Sequence, residues 1–410
     1  MKKFIVLITC LLALSISYAQ DDTIQLIPDA NDSRVITTGI PFMLVAPDAR
    51  GASMGDMGVA TSVDGFSQHW NISKYAFSEA KSGIGISYTP YLSRIASDID
   101  LGYVTYYNKL NDFSAVSGSF RYFSLGEILL TQNEDDPGTI ANPNELAIDL
   151  AYSLKLSSQF AMSVGMRYLR SDLRLDQVVN SNATAANTFA VDITGYYQSE
   201  EIAYSDFNGR WRGGFAIQNM GPKFSYNDEN LDTFQPTNLR LGGGFDFIFD
   251  QFNTLAVTAE FTKLLVPTPP IRGEKIVFTD SNGDGIYTPP ADPNNIQPGE
   301  DFQTDAQEDA SVERGYIIDG KDDDVDFLQG MFQSFGDAPG GFSEELQEIT
   351  WALAAEYRYQ DAFALRAGYF NESEEKGARS FFSLGAGFKY TTIELDISYL
   401  FATGALQNPL

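Results

Sequence analysis

Thr392-Ile393-Glu394-Leu395-Asp396-Ile397-Ser398-Tyr399-Leu400-Phe401 alternates apolar and polar side chains almost without a break. In a pleated strand Ile393, Leu395, Ile397, Tyr399 and Phe401 share one face, and Glu394, Asp396 and Ser398 share the other. One face is built for an apolar medium and one for water. The same alternation recurs upstream, at 82–91, 98–108, 112–124, 145–156, 159–172, 187–198, 210–219, 238–249, 253–265, 350–360, 362–371 and 379–390. Segments of about 10 residues with aromatic ends are the repeat of an outer-membrane β-barrel, apolar outside and polar within. The expected fold is therefore an all-β transmembrane antiparallel barrel of about 14 strands.

The connections sort by length. Lys109-Leu110-Asn111, Ser157-Ser158, Asp250-Gln251-Phe252, Gln360-Asp361 and Tyr390-Thr391-Thr392 are tight turns, whereas 125–144, 173–186, 220–237, 266–349 and 372–378 are longer. Short turns on the periplasmic side and long loops outside the cell follow the outer-membrane rule. In 381–390 the lipid face is Phe382, Leu384, Ala386, Phe388 and Tyr390, and the lumen face is Phe381, Ser383, Gly385, Gly387 and Lys389. Asp149, Arg167, Glu260, Glu356, Arg358 and Arg366 fall on the lumen face of their strands, where a charge avoids hydrocarbon. Gly242-Gly243-Gly244 within a strand permits curvature or close packing.

Residues 1–19 have the layout of a secretory signal peptide. A Met1-Lys2-Lys3 start leads into an apolar run to Ile16 and a small-x-small site at Ser17-Tyr18-Ala19. Cys10 is the sole cysteine, so the mature chain has no thiol for a disulfide or a metal. No later run is long and apolar enough for a transmembrane helix. Residues 20–80 precede the barrel repeat as an N-terminal extension and plug: Gln20–Arg34 is polar, Thr37–Ala80 is expected to fold back into the lumen, a small periplasmic cap is the alternative, and 81–410 form the barrel.

Charge is concentrated. The chain carries 55 acidic and 27 basic side chains, net -28, and between Gly273 and Glu348 there are 19 acids and 3 bases. Such a balance disfavours nucleic acid as a partner. The insertion at about 267–348 is expected to be an extracellular excursion. Within it Asp280, Asn282, Asp284 and the Ile286 carbonyl have the spacing of an oxygen-ligand calcium loop, with Gly285 at the turn and Ala291 where a bidentate Glu would sit. Ca²⁺ is the only cofactor the sequence suggests, and none is required. Lys321-Asp322-Asp323-Asp324-Val325-Asp326 has the character of a solvated face. Phe327, Leu328, Met331, Phe332 and Phe335 then follow at helical spacing.

Catalysis finds little support. His69 is the lone histidine, and no nucleophile, base and orienting group share its neighbourhood. The expectation is a non-enzymatic protein, with a membrane-embedded hydrolase as the rival from another class.

The run Val45-Ala46-Pro47-Asp48-Ala49-Arg50-Gly51-Ala52-Ser53-Met54-Gly55-Asp56-Met57-Gly58-Val59-Ala60-Thr61-Ser62 resembles the signature of the PorV family. These are outer-membrane proteins of the type IX secretion system in Bacteroidota. Ser67-Gln68-His69-Trp70-Asn71-Ile72-Ser73 is similar to the Asn-Pro-Ala element of FadL-type barrels, with Ile72-Ser73 in place of Pro-Ala. The resemblance covers nearly the whole mature chain and marks Pro47, Asp48, Ala49, Arg50, Gly51, Met54, Gly55, Asp56, His69, Trp70 and Asn71 as motif positions. It implies a FadL-like barrel acting as a shuttle. Such a protein binds the translocon, collects secreted substrates by their carboxy-terminal signal domains and passes them to a sortase-type attachment complex. The alternative is a FadL-like channel for hydrophobic small molecules. Either protein sits in the lipid bilayer of the outer membrane.

Thirteen strands are one short of the even number that closes a barrel with both ends inside. The expectation is a free edge at 392–402 beside 82–91, with a fourteenth, inward-running strand unaccounted for.

Overall fold

The computed structural model describes residues 23–29, 34–91, 98–131, 138–173, 185–226, 232–279 and 309–403. The strands, in chain order, are β1 Thr23–Pro28, β2 Ser82–Pro90, β3 Ile99–Lys109, β4 Ser114–Leu125, β5 Ile128–Leu130, β6 Thr139–Ala141 and β7 Asn144–Lys155. They continue as β8 Phe160–Asp172, β9 Ala186–Gln198, β10 Ile202–Ala203, β11 Asn208–Met220, β12 Asn238–Ile248 and β13 Asn253–Leu264. The last six are β14 Ile271–Thr279, β15 Asp309–Asp319, β16 Ile349–Tyr359, β17 Phe363–Asn371, β18 Ser380–Tyr390 and β19 Ile393–Ala402.

The chain divides into two units. The larger, Arg34–Pro269 with Asp323–Leu410, holds an antiparallel meander in the order β2-β3-β4-β7-β8-β9-β11-β12-β13-β16-β17-β18-β19, with the two-residue β10 paired to β11. All thirteen strands expected from the alternation are present. Among the described residues β2 pairs only with β3 and β19 only with β18, so the sheet is not closed. β5 and β6 form a small ladder in an outer connection. The smaller unit, drawn from residues 1–33 and Pro270–Asp322, is a three-stranded sheet in the order β1-β14-β15. None of these three strands was expected from alternation.

Alternation sets the faces. On β18 Phe382, Leu384, Phe388 and Tyr390 are exposed, whereas Phe381 and Ser383 are buried. On β19 Ile393, Leu395, Ile397, Tyr399 and Phe401 all point away from the lumen side and are exposed. This exposed apolar belt faces the lipid of the outer membrane. No helix is long and apolar enough to cross a membrane.

Local chemistry makes the inner turns tight. Asn111 Oδ1 accepts the amides of Phe113 and Ser114 at 2.8 and 2.9 Å, and Asp250 Oδ1 accepts those of Phe252 and Asn253 at 2.7 and 2.8 Å. Such side chains mimic a turn's own backbone bonds. Gln360 and Asp361 both take positive φ, 56° and 50°, as a two-residue hairpin of the favoured hand requires.

The lipid face is testable. Leu150 lies near the middle of β7 with 70 % of its surface exposed. Leu150→Arg is expected to destabilise the folded protein by about 2–4 kcal/mol, measured by denaturant unfolding in lipid vesicles.

Candidate functional site

The segment from Pro41 to Phe77 fills the lumen. It is a succession of short turns: a 3-10 turn Pro41–Leu44, a helix Ala49–Ser53, a helical turn Ser67–Trp70 and a 3-10 turn Ile72–Phe77. None has the length to be stable alone, so packing against the wall must hold them. Side-chain caps start two of the pieces, Ala49–Ser53 and Ile72–Phe77. The Asp48 side chain accepts the Gly51 amide at 2.8 Å, and the Asn71 side chain accepts the Ser73 amide at 3.1 Å.

Trp70 is the centre of the plug, 1 % exposed. Its Nε1 donates to Asp48 Oδ1 at 2.6 Å. Gly51 and Gly58 lie against its ring, and a Cβ on either would come within 2.3 Å of ring carbon. The guanidinium of Arg240 lies 5.1 Å from the ring centroid. Asp48, Gly51 and Trp70, three of the motif positions, thus meet at one point of the plug. Pro47 is buried just before the cap, and Ala49 is half-buried at the helix start. Met54 and Gly55 press on Gly368 of β17, where a Cβ would sit 2.3 Å from Met54 carbonyl carbon. Gly55 takes φ 74° and donates its amide to Ser383 Oγ at 3.0 Å; Asp56 follows with φ 55°.

Arg50 ties the plug to the wall. It grips Glu356 of β16 through Nε and Nη2, both at 3.0 Å, and reaches Asp64 Oδ2 at 2.7 Å. Glu356 also accepts Arg366 at 2.6 Å and Arg358 at 2.8 Å, and Arg366 continues to Asp396 of β19 at 2.5 Å. Opposite charges thus run unbroken from the plug to β16, β17 and β19. A second anchor is Glu260 of β13. Its Oε2 accepts the amides of Gly58 and Val59 at 2.9 and 2.8 Å, while Oε1 binds Arg240.

His69 is a structural contact. Its Nδ1 lies 2.7 Å from Arg121 Nη2, and its carbonyl accepts Gln218 Nε2 at 2.6 Å. Arginine offers only donors, so Nδ1 must accept and the ring must be neutral. Burial, followed by the charges of Arg121 and Arg240, holds its pKa well below the ordinary histidine range. Asn71 Nδ2 donates to the carbonyls of Val59 and Gly195, both at 2.9 Å. Ser73, which departs from the FadL-type element, shares hydrogen bonds with Thr194 and Ser163 of the wall. The glycines of β11 and β12 admit the plug: a Cβ on Gly214 would meet the Val59 carbonyl oxygen at 2.3 Å, and one on Gly242 would meet Val59 Cγ1 at 2.6 Å.

Two further features flank the plug. At the inner end an open cavity of about 740 Å³ is lined by polar groups including Ser62, Glu201, Arg210, Asp246 and Arg358. At the outer end a clasp joins four acids and three bases. Lys263 binds Glu345 and Glu348 at 3.0 and 2.6 Å, Lys376 binds Glu344 and Glu348 at 2.6 and 3.0 Å, and Arg34 binds Glu344 at 2.5 Å. Asp337 caps the set by accepting the Thr268 amide at 3.1 Å. A helix spans Phe327–Gln333, in the apolar stretch with helical spacing, and a second spans Gly341–Gln347.

The positions Asp280, Asn282, Asp284 and Ile286 lie outside the described residues. Among the described residues no cluster of three or more His, Cys, Asp or Glu is arranged to hold a metal ion. Sequence reading placed the motif but missed its partners. Arg121 and Asp396 carried no local signal, because their roles depend on which strands curve to face the plug.

The family described as type IX secretion system protein PorV matches residues 28–271, more than half of the chain. The chain belongs to the PorV family. A comparison with curated proteins returned no match. Among solved structures, similarity extends to a TodX deltaS2S3 mutant monoaromatic hydrocarbon channel, at 10% identity over 86% of this chain and 92% of that one, TM-score 0.46. A Pseudomonas aeruginosa FadL homologue is 12% identical over 91% and 92%, TM-score 0.39. The Pseudomonas putida toluene transporter TodX is 10% identical over 90% and 94%, TM-score 0.41. The assignment to the PorV family rests on the family match, and the barrel on the strand pairing above.

Removing one partner of a buried ion pair leaves an uncompensated charge. Glu356→Ala strips Arg50, Arg366 and Arg358 of a shared carboxylate and is expected to cost about 3–5 kcal/mol, read by denaturant unfolding. Loosened plugging should appear in the same variant as raised conductance across planar bilayers.

The outer clasp has a defined pH window. Partial burial pushes the Glu344 carboxyl up, but hydrogen bonds from Lys376, Arg34 and the Gly340 amide outweigh it and hold the pKa at about 2. A depressed carboxylate stabilises the folded form above its unfolded value, near 4.5, and loses that contribution as pH falls through 2. Acidification from pH 7 to 5 should leave the clasp intact, and protease sensitivity of the 323–348 segment should rise only below about pH 4.

Proposed function

We propose that this PorV-family chain is a non-conducting outer-membrane adaptor of type IX secretion. In this reading it binds the translocon, collects exported proteins by their carboxy-terminal signal domains and hands them to the surface attachment complex. The observation that carries it is the plug: Arg50, Gly58, Val59, His69 and Asn71 are bonded to β4, β9, β11, β13 and β16. A lumen tied down on so many sides suits a protein that works through its outer surface. Buried charge pairs of this kind are costly to break, which disfavours cyclic opening.

The channel alternative would need a continuous apolar path. The inner cavity is instead lined by Glu201, Asp206, Arg210, Asp246, Glu356 and Arg358, groups ill-suited to a greasy solute. It reaches Ser62 of the plug.

A pull-down in mild detergent with a tag on the barrel tests the reading. Recovery of a giant barrel translocon, or of secreted proteins through their carboxy-terminal domains, is the expected result. Saturable uptake of a fatty acid into vesicles holding this protein alone, with no such partner recovered from cells, would replace the adaptor with the channel.

A further inference from the structure

We propose that the two short helices at the outer rim, Phe327–Gln333 and Gly341–Gln347, rest on the lipid of the outer leaflet, with Phe342 and Leu346 seated among the lipids as an outward continuation of the belt.

Both helices are inside out for a segment surrounded by water. In Gly341–Gln347 the buried side chain is Glu345, with Glu348 buried just beyond it, whereas Phe342 and Leu346 are 78 % and 52 % exposed. Four residues apart, those two share one face. Phe327–Gln333 repeats the inversion. Gly330 is buried, and a Cβ there would come within 3.0 Å of Phe234 and Pro267. Ser334, next after the helix, is buried too, while Leu328, Phe332 and Phe335 are exposed. A helix on a water-soluble surface turns its apolar stripe inward. A contiguous exposed apolar face marks a surface made to be covered.

Strand register points to what covers it. Phe261 of β13 pairs with Trp351 of β16, both exposed on the lipid belt, and two residues further out Lys263 pairs with Ile349. The period of two puts Lys263 and Ile349 on that same lipid-facing side. Lys263 is nevertheless only 8 % exposed, because its ammonium donates to Glu345 at 3.0 Å and to Glu348 at 2.6 Å. The acidic face of the second helix therefore lies over a side chain that rises from the outward face of the wall, and its apolar face turns away from the lumen. Glu345 also accepts the amides of Asp337 and Ala338 at 2.9 and 3.1 Å, which ties the link between the helices to the same point.

Height and charge agree with a lipid surface. Leu346 lies three residues before Ile349 and Phe342 seven, about 5 and 10 Å along a helix axis even if the axis stood upright. The interfacial layer adds about 5–8 Å to each side of the hydrocarbon. Leu346 falls within that layer, and the Phe342 ring at its edge. The first helix has no ionisable residue, and both carboxylates of the second are engaged, Glu344 by Lys376 and Arg34 and Glu345 by Lys263. The apolar face thus brings no carboxylate against an anionic headgroup. Seating an apolar helix face at the boundary of headgroups and acyl chains is how interfacial helices bind.

Cys10 is the only cysteine, so after Cys10→Ser a single introduced cysteine carries the sole dye. The full chain is folded into phosphatidylcholine–phosphatidylglycerol vesicles, and its folding is checked by heat-modifiable mobility. An environment-sensitive dye at Phe342→Cys or Leu346→Cys is expected to emit blue-shifted and to resist iodide. A phospholipid with a shallow spin label should quench it about as strongly as the same dye at Leu353→Cys, on the exposed belt of β16. Glu374→Cys, in an exposed outer connection, should show the reverse. Quenching of 342 and 346 by iodide and not by lipid would overturn the proposal. Shielding that appears only in native outer membranes, and not in vesicles of lipid alone, would assign the face to a protein partner and overturn it as well. Lys263→Gln is expected to lower lipid quenching at 342 and leave it unchanged at 353. Equal quenching at 342 with and without the lysine would overturn the ionic link as the device that seats the helix. None of these outcomes depends on which proteins the barrel recruits.

Discussion

Hydrocarbon offers no hydrogen bonds, and every backbone amide and carbonyl crossing it must find a partner within the protein. That constraint drives the rest of this molecule. It takes the chain across the bilayer as paired antiparallel strands, thirteen of them among the described residues, sends alternate side chains to lipid, and leaves the lumen to the charged and small residues that remain. The same constraint explains why the described sheet is antiparallel throughout. Each strand turns back on its neighbour through a few residues whose side chains, Asn111, Ser157 and Asp250, stand in for backbone partners.

Placing charges in the lumen moves the problem from lipid to a narrow interior where water is scarce. Glu260, Glu356, Arg240 and Arg366 would each be expensive there alone. Within the wall Arg240 pairs with Glu260 and Arg366 with Glu356 and Asp396, and the plug completes both carboxylates. Arg50 arrives between Asp64 and Glu356, and the amides of Gly58 and Val59 complete Glu260. Plug and wall are thus electrostatic complements. The motif Asp48-Ala49-Arg50-Gly51 sits where both halves meet: its Asp orients Trp70, its Arg reaches the wall, and its Gly admits the indole ring.

Much of the fold was legible from alternation, because a wall strand between lipid and water writes its environment residue by residue. The strands of the smaller unit leave no such record: the pairing of β1 with β14 joins residues 23–28 with 273–278, too far apart for any local pattern to betray. The site was legible by half. The family resemblance marked the motif positions from Pro47 to Asn71, whereas the pairing of Arg121 with His69, or of Asp396 with Arg366, exists only once distant strands curve round the plug. The acids of 344–348 were part of a general negative charge in the sequence. In the fold Glu344, Glu345 and Glu348 are taken up by Arg34, Lys263 and Lys376.

The chain contains three tryptophans, and the fold gives each a different address. Trp70 is sealed in the plug, Trp211 stands on the lipid face near the inner rim against Phe245, and Trp351 stands on the lipid face near the outer rim against Tyr369. Indole emission follows the polarity of its surroundings, and lipid-borne quenchers reach only the two on the belt. The protein therefore carries an optical ruler of its own. A movement of the plug registers as a change in one fluorophore against two that stay fixed in the bilayer, with no label attached.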